Sequence, residues 1–272
     1  MPELPEVETL RRGLLPLVVN KTLLELKFFR EDLRFPIPAK TLKKELLNTV
    51  ILDLSRRGKY LLWHTGNGAM ILHLGMSGRL TRQPSMEPAV KHTHAVFVFE
   101  PETYLHFVDP RRFGCILWAP RSKGHPLLNN LGLEPLANGT TAKALKEMAK
   151  GCRAPIKSFL MDARRLAGVG NIYACEALFG ANVHPAKPAG KISLPRWEIL
   201  LSSLRGILET SIESGGTTLR DFYNSDGAPG YYALKLSVYG KEGQPCPNCG
   251  KAIARLIHSG RSTFFCKSCQ KK

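Results

Sequence analysis

The chain has 272 residues, of which 43% are hydrophobic, and its 39 Lys and Arg residues outnumber 22 Asp and Glu residues, which gives a net charge of +17. This length and composition exclude a disordered chain and allow one large or two ordinary globular domains. The excess of positive charge favours a polyanionic partner, with nucleic acid as the first candidate.

Neither a secretory signal nor a membrane span is expected. Residues 3–8 are acidic, which is the wrong sign for a signal peptide, and no apolar run reaches the roughly 20 residues that a bilayer span needs. We therefore expect an intracellular, cytoplasmic protein without membrane attachment. We also expect a monomer. Three cysteines outside any motif, Cys115, Cys152 and Cys175, are expected to be small buried hydrophobes.

The chain begins Met-Pro-Glu-Leu-Pro-Glu-Val-Glu. Methionine before a small residue is usually removed, which would leave Pro2 as a terminal secondary amine. An α-amino group titrates near about 8, so part of it is uncharged and nucleophilic at neutral pH. The iminium that it forms with an aldehyde has no N–H to lose and remains an electron sink. Glu3 is a carboxylate within reach of anything bonded to Pro2. Alternatively, this segment simply begins a helix, with Pro5 in the first turn.

The first half of the chain predicts one helix followed by strands. Apolar residues at helical spacing indicate a helix from Pro5 to about Val18. Alternating segments then indicate strands that pair as antiparallel hairpins, at Tyr60–His64 with Met70–Leu74, at His94–Glu100 with Tyr104–Val108, and at Phe113–Ala119. We interpret residues 1–119 as an antiparallel β-sandwich or barrel. Residues 120–139, rich in Pro, Gly and Asn, are predicted to be a linker.

The second half predicts helices and a separate terminal module. Helical patterns occur at about 141–150, 155–165, 171–180 and 195–213, so residues 140–232 are predicted to form a helical domain. Within it, the Gly-rich segment 214–232 is predicted to be a mobile loop that acts as a lid. Residues 233–272 form the last predicted domain.

Four cysteines in this last domain predict a zinc site. Cys246 and Cys249 are separated by 16 residues from Cys266 and Cys269, and this pairing of two C-x2-C motifs is typical of tetrahedral zinc. Four thiolates close the coordination sphere, so the metal is predicted to be structural. A hairpin would join the pairs, with residues 259–262 as its turn. Arg261 would lie at the tip, as a phosphate contact or as a solvated side chain.

Three further turns carry candidate site residues. Lys59 lies in a basic turn. It is either a site residue or, as is usual for such turns, part of a solvated surface. Met76 lies at a Gly-flanked turn, either as core filler or as an exposed wedge between bases. Arg111 and Phe113 share the loop Asp109–Gly114, where Phe113 either stacks on a base or faces the core.

A fourth candidate is the segment Gly168-Val-Gly-Asn171, which separates two predicted helices. Glycines would let the backbone approach a phosphate, and the next helix begins with free N–H groups. Alternatively, this is an ordinary helix–helix turn capped by Asn171.

Taken in order, these segments resemble the bacterial formamidopyrimidine-DNA glycosylases. The resemblance spans nearly the whole chain and rests on residues 1–8, Arg57–Tyr60, His73–Gly78, Asp109–Gly114, Gly168–Tyr173, Gly215–Phe222 and the four-cysteine finger. It implies an α+β fold with an N-terminal antiparallel β-sandwich and flanking helices. The C-terminal part would be a helix–two-turn–helix domain, at 155–180, followed by a β-hairpin zinc finger with one structural Zn²⁺.

The resemblance implies an enzyme of base excision repair. The family removes oxidised purines, chiefly 8-oxoguanine and formamidopyrimidines, from duplex DNA after flipping the damaged nucleotide out of the stack. It implies that Pro2 is the Schiff-base nucleophile and Glu3 the general acid–base. Lys59 matches the lysine of β-elimination, and Arg261 matches the finger arginine of the second elimination.

The resemblance also implies a set of DNA contacts. Met76, Arg111 and Phe113 match the residues that fill the gap left by the flipped base, and Arg111 would face the widowed cytosine and reject adenine. His92 and Asn171 match contacts to the DNA backbone. The family often has a lysine run just before residues 156 and 157. Here the run is broken, so the contacts are assigned to Arg153 and Lys157.

Two alternatives remain open from the sequence. An endonuclease VIII-like glycosylase, which prefers oxidised pyrimidines, would share Pro2, Glu3, Lys59 and the finger. Leu4, where that group typically has glycine, and the complete loop with Arg111 argue against it. A zinc-finger DNA-binding protein without chemistry would explain the charge and the cysteines, but it would give no purpose to a processed proline terminus.

Overall fold

The computed structural model describes residues 2–87, 90–216, 236–258 and 260–271. The chain divides into two compact units, Met1–Asn130 with Ile212–Ala233, and Leu131–Ser211 with Leu234–Lys272. The division at Asn130 falls inside the predicted linker, part of which forms the short helix α3, Pro126–Asn129. The exact domain boundaries proposed from the sequence stay predictions. The predicted mobile loop at 214–232 lies outside the described residues, except for its first three.

The first unit begins with the predicted helix. Helix α1 spans Leu4–Val18 and buries Leu4, Val7, Leu10 and Leu14 along one face. This is the apolar spacing that predicted it, so the prediction is confirmed.

Two antiparallel sheets follow within the described residues. One has the order β2-β1-β7-β8-β6 and the other the order β3-β4-β5-β9. The first sheet is built from β1 (Thr22–Phe28), β2 (Thr49–Val50), β6 (Arg79–Gln83), β7 (Thr93–Phe99) and β8 (Thr103–Val108). The second is built from β3 (Asp53–Arg57), β4 (Tyr60–His64), β5 (Gly68–His73) and β9 (Cys115–Pro120). Helix α2, Ala39–Leu46, lies between β1 and β2 in sequence.

Both sheets contribute to one apolar core, so the prediction of a sandwich is confirmed. Trp63 of β4 packs against Phe97 and Phe99 of β7, with ring centroids 5.0 and 5.5 Å apart. The predicted hairpins are present as β4–β5 and β7–β8. One prediction is wrong in detail, because β9 starts at Cys115 and Phe113 belongs to the preceding loop.

The second unit is helical, as predicted. It contains α4 (Ala142–Met148), α5 (Ile156–Met161), α6 (Asn171–Gly180), a 3-10 turn at Ala189–Lys191, and most of α7 (Leu194–Glu213). The helix predicted at 155–165 ends early, because the carboxylate of Asp162 accepts the backbone N–H of Arg164 at 3.1 Å and stabilises a turn. No described helix is both long and apolar enough to cross a membrane.

A β-hairpin ends the chain. Strand β10, Ala254–His258, pairs with β11, Arg261–Phe265, so that His258 lies opposite Arg261. The predicted four-residue turn at 259–262 is therefore wrong, since Arg261 is the first residue of a strand. Strand pairing at Arg261 restrains the backbone of this residue more firmly than a position in a loop would.

Trp63 offers a test of the sandwich core. It is fully buried, and its indole N–H has no hydrogen-bond partner among the described residues. Trp63→Ala should lower the free energy of unfolding by about 3–5 kcal/mol. Trp63→Phe should cost less than about 2 kcal/mol, because it retains most of the packing and removes an unsatisfied buried donor. Urea unfolding measures both. The exposed Leu52→Ala serves as the control, and equal losses for the two Trp63 variants would contradict this account of the core.

Candidate active site and metal centre

Pro2 and Glu3 lie directly before α1, and both are buried. The backbone N–H of Glu3 donates to the carboxylate of Glu6 at 2.8 Å, which fixes the first turn of the helix. The interpretation that this segment begins a helix is therefore confirmed. It does not compete with the chemical interpretation, since the helix start is what holds Pro2 and Glu3 in defined positions.

Lys59 occupies the tight turn between β3 and β4. Arg57 pairs with Tyr60 across this turn, which leaves only Gly58 and Lys59 to connect the strands. Gly58 has φ of +58°, and a glycine with positive φ at the first central position is typical of a type II′ hairpin turn. Lys59 is half-buried, so its stem is held against the protein.

His73 adjoins this turn, although no feature of the sequence marked it as a site residue. It ends β5 opposite Tyr60, with ring centroids 4.8 Å apart. Its Nδ1 accepts the backbone N–H of Gly75 at 3.0 Å. Burial and then the positive charges of Lys59 and Arg34 lower the pKa of His73 to about 3. The pairing of the predicted strands β4 and β5 was the signal that could have located it, because their register sets His73 beside the turn.

Two loops are held together by the carboxylate of Asp109, which is fully buried. One oxygen accepts the hydroxyl of Ser77 at 2.8 Å, and the other accepts the backbone N–H of Gly114 at 2.8 Å. Gly75 has φ of +64°, and a Cβ there would lie 2.4 Å from the backbone of Phe113. Only glycine allows this approach. The loop of Met76 and the loop of Phe113 therefore form one rigid surface.

Three predicted DNA contacts lie on these loops and a fourth adjoins them. The guanidinium of Arg111 lies 4.8 Å from the ring centroid of Phe113, and Phe113 is 45% exposed. The alternative that Phe113 faces the core is therefore wrong. Met76 is half-buried, and His92 is exposed with φ of +70°. The carbonyl of His92 accepts the backbone N–H of Asp109 at 3.1 Å.

In the second unit, two predicted DNA contacts converge on the terminal hairpin. Nζ of Lys157 donates to the carbonyl of Ser262 at 3.1 Å and to the hydroxyl of Thr263 at 2.6 Å. Nδ2 of Asn171 donates to the same Ser262 carbonyl at 3.0 Å. Both side chains therefore support the backbone next to Arg261, which is itself exposed.

This arrangement gives both residues a structural role. Lys157 is 1% exposed, so its ammonium supports the hairpin, and its DNA contact stays a prediction. Gly170 is the N-cap of α6 and Asn171 is its first residue, so the alternative that Asn171 caps the helix is wrong. Arg153 is exposed, as a DNA contact requires. A cavity of about 180 Å³ beside Arg261 is lined by Lys157, Ser158, Met161, Asp162 and His258.

The four predicted metal ligands meet at the base of the hairpin. The Sγ atoms of Cys246, Cys249, Cys266 and Cys269 all lie within 4.8 Å of one another. Zinc–sulfur bonds of about 2.3 Å place the ligands of a tetrahedral site roughly 3.8 Å apart. The separations of 3.9 Å between Cys246 and Cys269 and of 3.5 Å between Cys249 and Cys266 fit this geometry. These residues are positioned to bind one zinc ion.

A buried carboxylate fastens the segment before this site to α6. Glu176 accepts the backbone N–H groups of Ser237, Val238 and Tyr239 at 2.8–2.9 Å. Charge-assisted hydrogen bonds of this kind are strong and directional. The zinc module is therefore attached to the helix that carries Asn171.

Family models match three consecutive parts of the chain. The model of the formamidopyrimidine-DNA glycosylase N-terminal domain matches residues 1–116, that of the H2TH domain matches 131–223, and a zinc finger found in FPG and IleRS matches 243–272. Formamidopyrimidine-DNA glycosylases of Magnetococcus marinus and Methylococcus capsulatus are 46% and 48% identical, and each comparison covers the full length of both chains.

Solved structures agree with these relatives. The MutM (Fpg) protein from Thermus thermophilus is 40% identical, with a TM-score of 0.88 over 99% of this chain and 98% of that chain. A Lactococcus lactis Fpg in complex with abasic-site DNA is 32% identical, with a TM-score of 0.90 over 99% of this chain and 100% of that chain. A MutM in complex with carbocyclic 8-oxo-G DNA is 34% identical, with a TM-score of 0.90 over both full chains.

Removal of the metal should unfold the terminal hairpin and leave the sandwich intact. Metal binding supplies folding free energy in small zinc modules, because the site does not exist in the unfolded chain. We expect one zinc per chain by elemental analysis, and protease cleavage confined to residues 243–271 after chelation. Cys249→Ser should behave like the chelated protein, and Cys152→Ser, which lies outside the cluster, like the untreated protein. A chelated chain that resists protease throughout would contradict a structural metal.

The lowered pKa of His73 predicts a pH-dependent stability. Between about pH 6.5 and 3 the unfolded chain binds a proton at this residue and the folded chain does not. Stability from this group is therefore complete above pH 6.5 and decreases as the pH falls towards 3. His73→Gln should reduce the slope of the unfolding free energy between pH 7.5 and 5, measured by urea unfolding. The exposed His92→Gln is the control, and an unchanged slope for His73→Gln would refute the assignment.

Proposed function

This chain belongs to the formamidopyrimidine-DNA glycosylase family, and from that premise we propose a bifunctional enzyme that excises oxidised purines from duplex DNA and cleaves the strand. The substrates would be 8-oxoguanine and formamidopyrimidines. The names of the full-length relatives and the complexes of similar proteins with 8-oxo-G and abasic-site DNA support this proposal. The observation that carries it is a buried proline directly before a buried glutamate at a fixed helix start.

The first step would join Pro2 to the sugar. The amine nitrogen attacks C1′ of the flipped nucleotide, and the glycosidic bond breaks with its electron pair leaving on the base. The base takes up a proton, and the sugar ring opens to give an iminium between C1′ and the proline nitrogen. Glu3 is suited to move protons between the sugar oxygen and solvent, because it adjoins Pro2 along the backbone.

Two eliminations would then cut the strand. The iminium acidifies C2′, whose proton is removed while a C2′–C3′ double bond forms and the C3′–O bond breaks, so the phosphate leaves with the electron pair. A second proton is lost from C4′, and the C5′–O bond breaks in the same manner. We assign proton transfer in the first elimination to Lys59 and in the second to Arg261.

The rigid surface of the two clamped loops suits the stacking gap left by a flipped base. Phe113 and Met76 offer apolar contact to the neighbouring bases, and Arg111 offers guanidinium donors to the acceptors on the pairing edge of cytosine. Adenine presents a donor at that edge, so it would be rejected partly by repulsion.

The remaining contacts would be made to the DNA backbone. His92, Arg153 and Asn171 are assigned to phosphates, and the net charge of +17 supports a strongly salt-dependent grip. Lys157 is assigned to the DNA backbone as well, and both Lys157 and Asn171 also support the finger through hydrogen bonds to the Ser262 carbonyl. Since the relatives reported above are bacterial, we infer that the protein acts as a monomer on nucleoid DNA in the cytoplasm.

Borohydride trapping tests the role of Pro2. Borohydride should reduce the iminium on 8-oxoguanine DNA and yield a covalent protein–DNA complex. Retention of Met1, achieved by a large residue inserted before Pro2, should abolish trapping because the amine is then acylated. Trapping by the blocked protein would refute Pro2 as nucleophile.

Cleavage of DNA that contains 8-oxoguanine paired with each of the four bases, compared with cleavage of thymine glycol DNA, measures selectivity. A preference for thymine glycol would favour an endonuclease VIII-like enzyme.

A further inference from the structure

The last residue of the opening motif, Glu8, lies in a network that the roles assigned above do not use. Its carboxylate accepts hydrogen bonds from three arginines. Oε1 accepts Nη2 of Arg11 at 2.8 Å and Nε of Arg12 at 3.0 Å. Oε2 accepts Nε of Arg11 at 3.0 Å and Nε of Arg56 at 3.3 Å. Each oxygen therefore accepts two hydrogen bonds, so the capacity of the carboxylate is filled.

Two of these arginines extend the network to the β3–β4 hairpin. Nη1 of Arg11 donates to the carbonyl of Leu54 at 3.0 Å. Nη1 of Arg56 donates to the carbonyl of Gly58 at 3.0 Å. That carbonyl belongs to the peptide group that joins Gly58 to Lys59. Arg56 thus connects the helix that begins beside Pro2 to the peptide plane directly before Lys59.

Burial distinguishes the bridging arginine from its neighbour. The side chains of Glu8 and Arg56 are 11% and 12% exposed, whereas that of Arg12 is 59% exposed. Burial by itself would raise the pKa of Glu8, but hydrogen bonds and charges from the three arginines outweigh it and lower that pKa below its usual value. The ionised carboxylate therefore persists at neutral pH as a fixed anchor. Arg12 contacts the same anchor, but within the described residues it makes no hydrogen bond to the hairpin, which makes it a matched control.

We propose that Glu8 and Arg56 are positioning residues that set Lys59 relative to Pro2 for the first elimination. The inference rests on the proposed function, because it concerns the step assigned to Lys59. The turn that carries Lys59 contains a single glycine with positive φ, so its peptide planes can rotate readily. A guanidinium bound at one end to a saturated carboxylate and at the other to the Gly58 carbonyl removes that freedom.

The network should matter for one step more than for the others. Attack of Pro2 on C1′ and loss of the base do not require Lys59 in these assignments. Loss of the C2′ proton does require Lys59. In that step the C2′–C3′ double bond forms, the C3′–O bond breaks, and the 3′ phosphate leaves with the electron pair of that bond. Proton transfer requires the Lys59 ammonium to lie within hydrogen-bond distance of the reacting group. A displacement of Lys59 by about 1 Å is enough to lower the rate of this elimination substantially.

Arg56→Met is the informative variant. Glu8 keeps Arg11 and Arg12, so the substitution leaves no buried carboxylate without a cation, and the fold should persist. Three single-turnover measurements are compared: base release from 8-oxoguanine DNA, borohydride trapping on abasic-site DNA, and strand cleavage of abasic-site DNA. We expect cleavage to slow about tenfold, with base release and trapping within about twofold of the unaltered protein. Arg12→Gln should leave all three rates unchanged.

Arg56→Lys separates position from charge. A lysine retains the positive charge beside Glu8, but its single ammonium lacks the two-ended reach of a guanidinium. If the bridge to Gly58 matters, cleavage by Arg56→Lys should be nearly as slow as by Arg56→Met. Full rescue by lysine, or parallel loss of all three rates with a lowered melting temperature, would overturn the proposal and leave a merely structural ion pair.

Failure of the proposed function would look different. In that case the unaltered protein itself would neither trap nor cleave abasic-site DNA. Normal trapping and cleavage by the unaltered protein, with cleavage by Arg56→Met within twofold of it, would leave the function standing and refute only the positioning role.

Discussion

The carboxylate of Asp109 is fully buried and accepts hydrogen bonds from the Ser77 hydroxyl and the Gly114 backbone. A buried carboxylate without such partners would cost several kcal/mol, so the two loops that it joins cannot separate cheaply. The same constraint recurs at Glu8, which ties α1 to the β3–β4 hairpin, and at Glu176, which ties the zinc module to α6. The loops of Met76 and Phe113, the Lys59 turn and the zinc module are thus each anchored by a buried acidic side chain that accepts several hydrogen bonds.

This design explains how a strongly basic protein keeps its cations in defined positions. Surface lysines and arginines repel one another and are held only weakly by exposed ion pairs. Lys157 is instead buried and bonded to the hairpin backbone beside Arg261, and the ring of Phe113 lies beneath Arg111. Metal ligation at the base of the hairpin adds a covalent-like restraint. Flexible charged side chains are therefore presented on stiff backbones, as recognition of a phosphate polymer requires.

Much of the fold followed from local pattern. Apolar spacing located α1 and α7, alternation located the paired strands, and cysteine spacing located the metal ligands. Two of the errors share a physical cause, since each arose where a side chain overrides the local pattern. Asp162 ends α5 four residues before the apolar pattern does, and Asp109 draws Phe113 out of β9 into a loop. Pairing of His258 with Arg261 extends the last hairpin through residues that look like a turn.

The sequence alone determined which chemical groups are available: a proline at position 2 followed by a glutamate, four cysteines at zinc spacing, and a large excess of cations. It also determined the type and order of the elements that have a clear hydrophobic period, because that period is a local property. Only the tertiary structure decided which groups meet. It brought His73 to the Lys59 turn, placed the Lys157 ammonium against the backbone of the finger hairpin, and linked Glu8 through Arg56 to Gly58. Those contacts join residues up to 106 positions apart, and their geometry depends on the packing of whole elements, which no local pattern encodes.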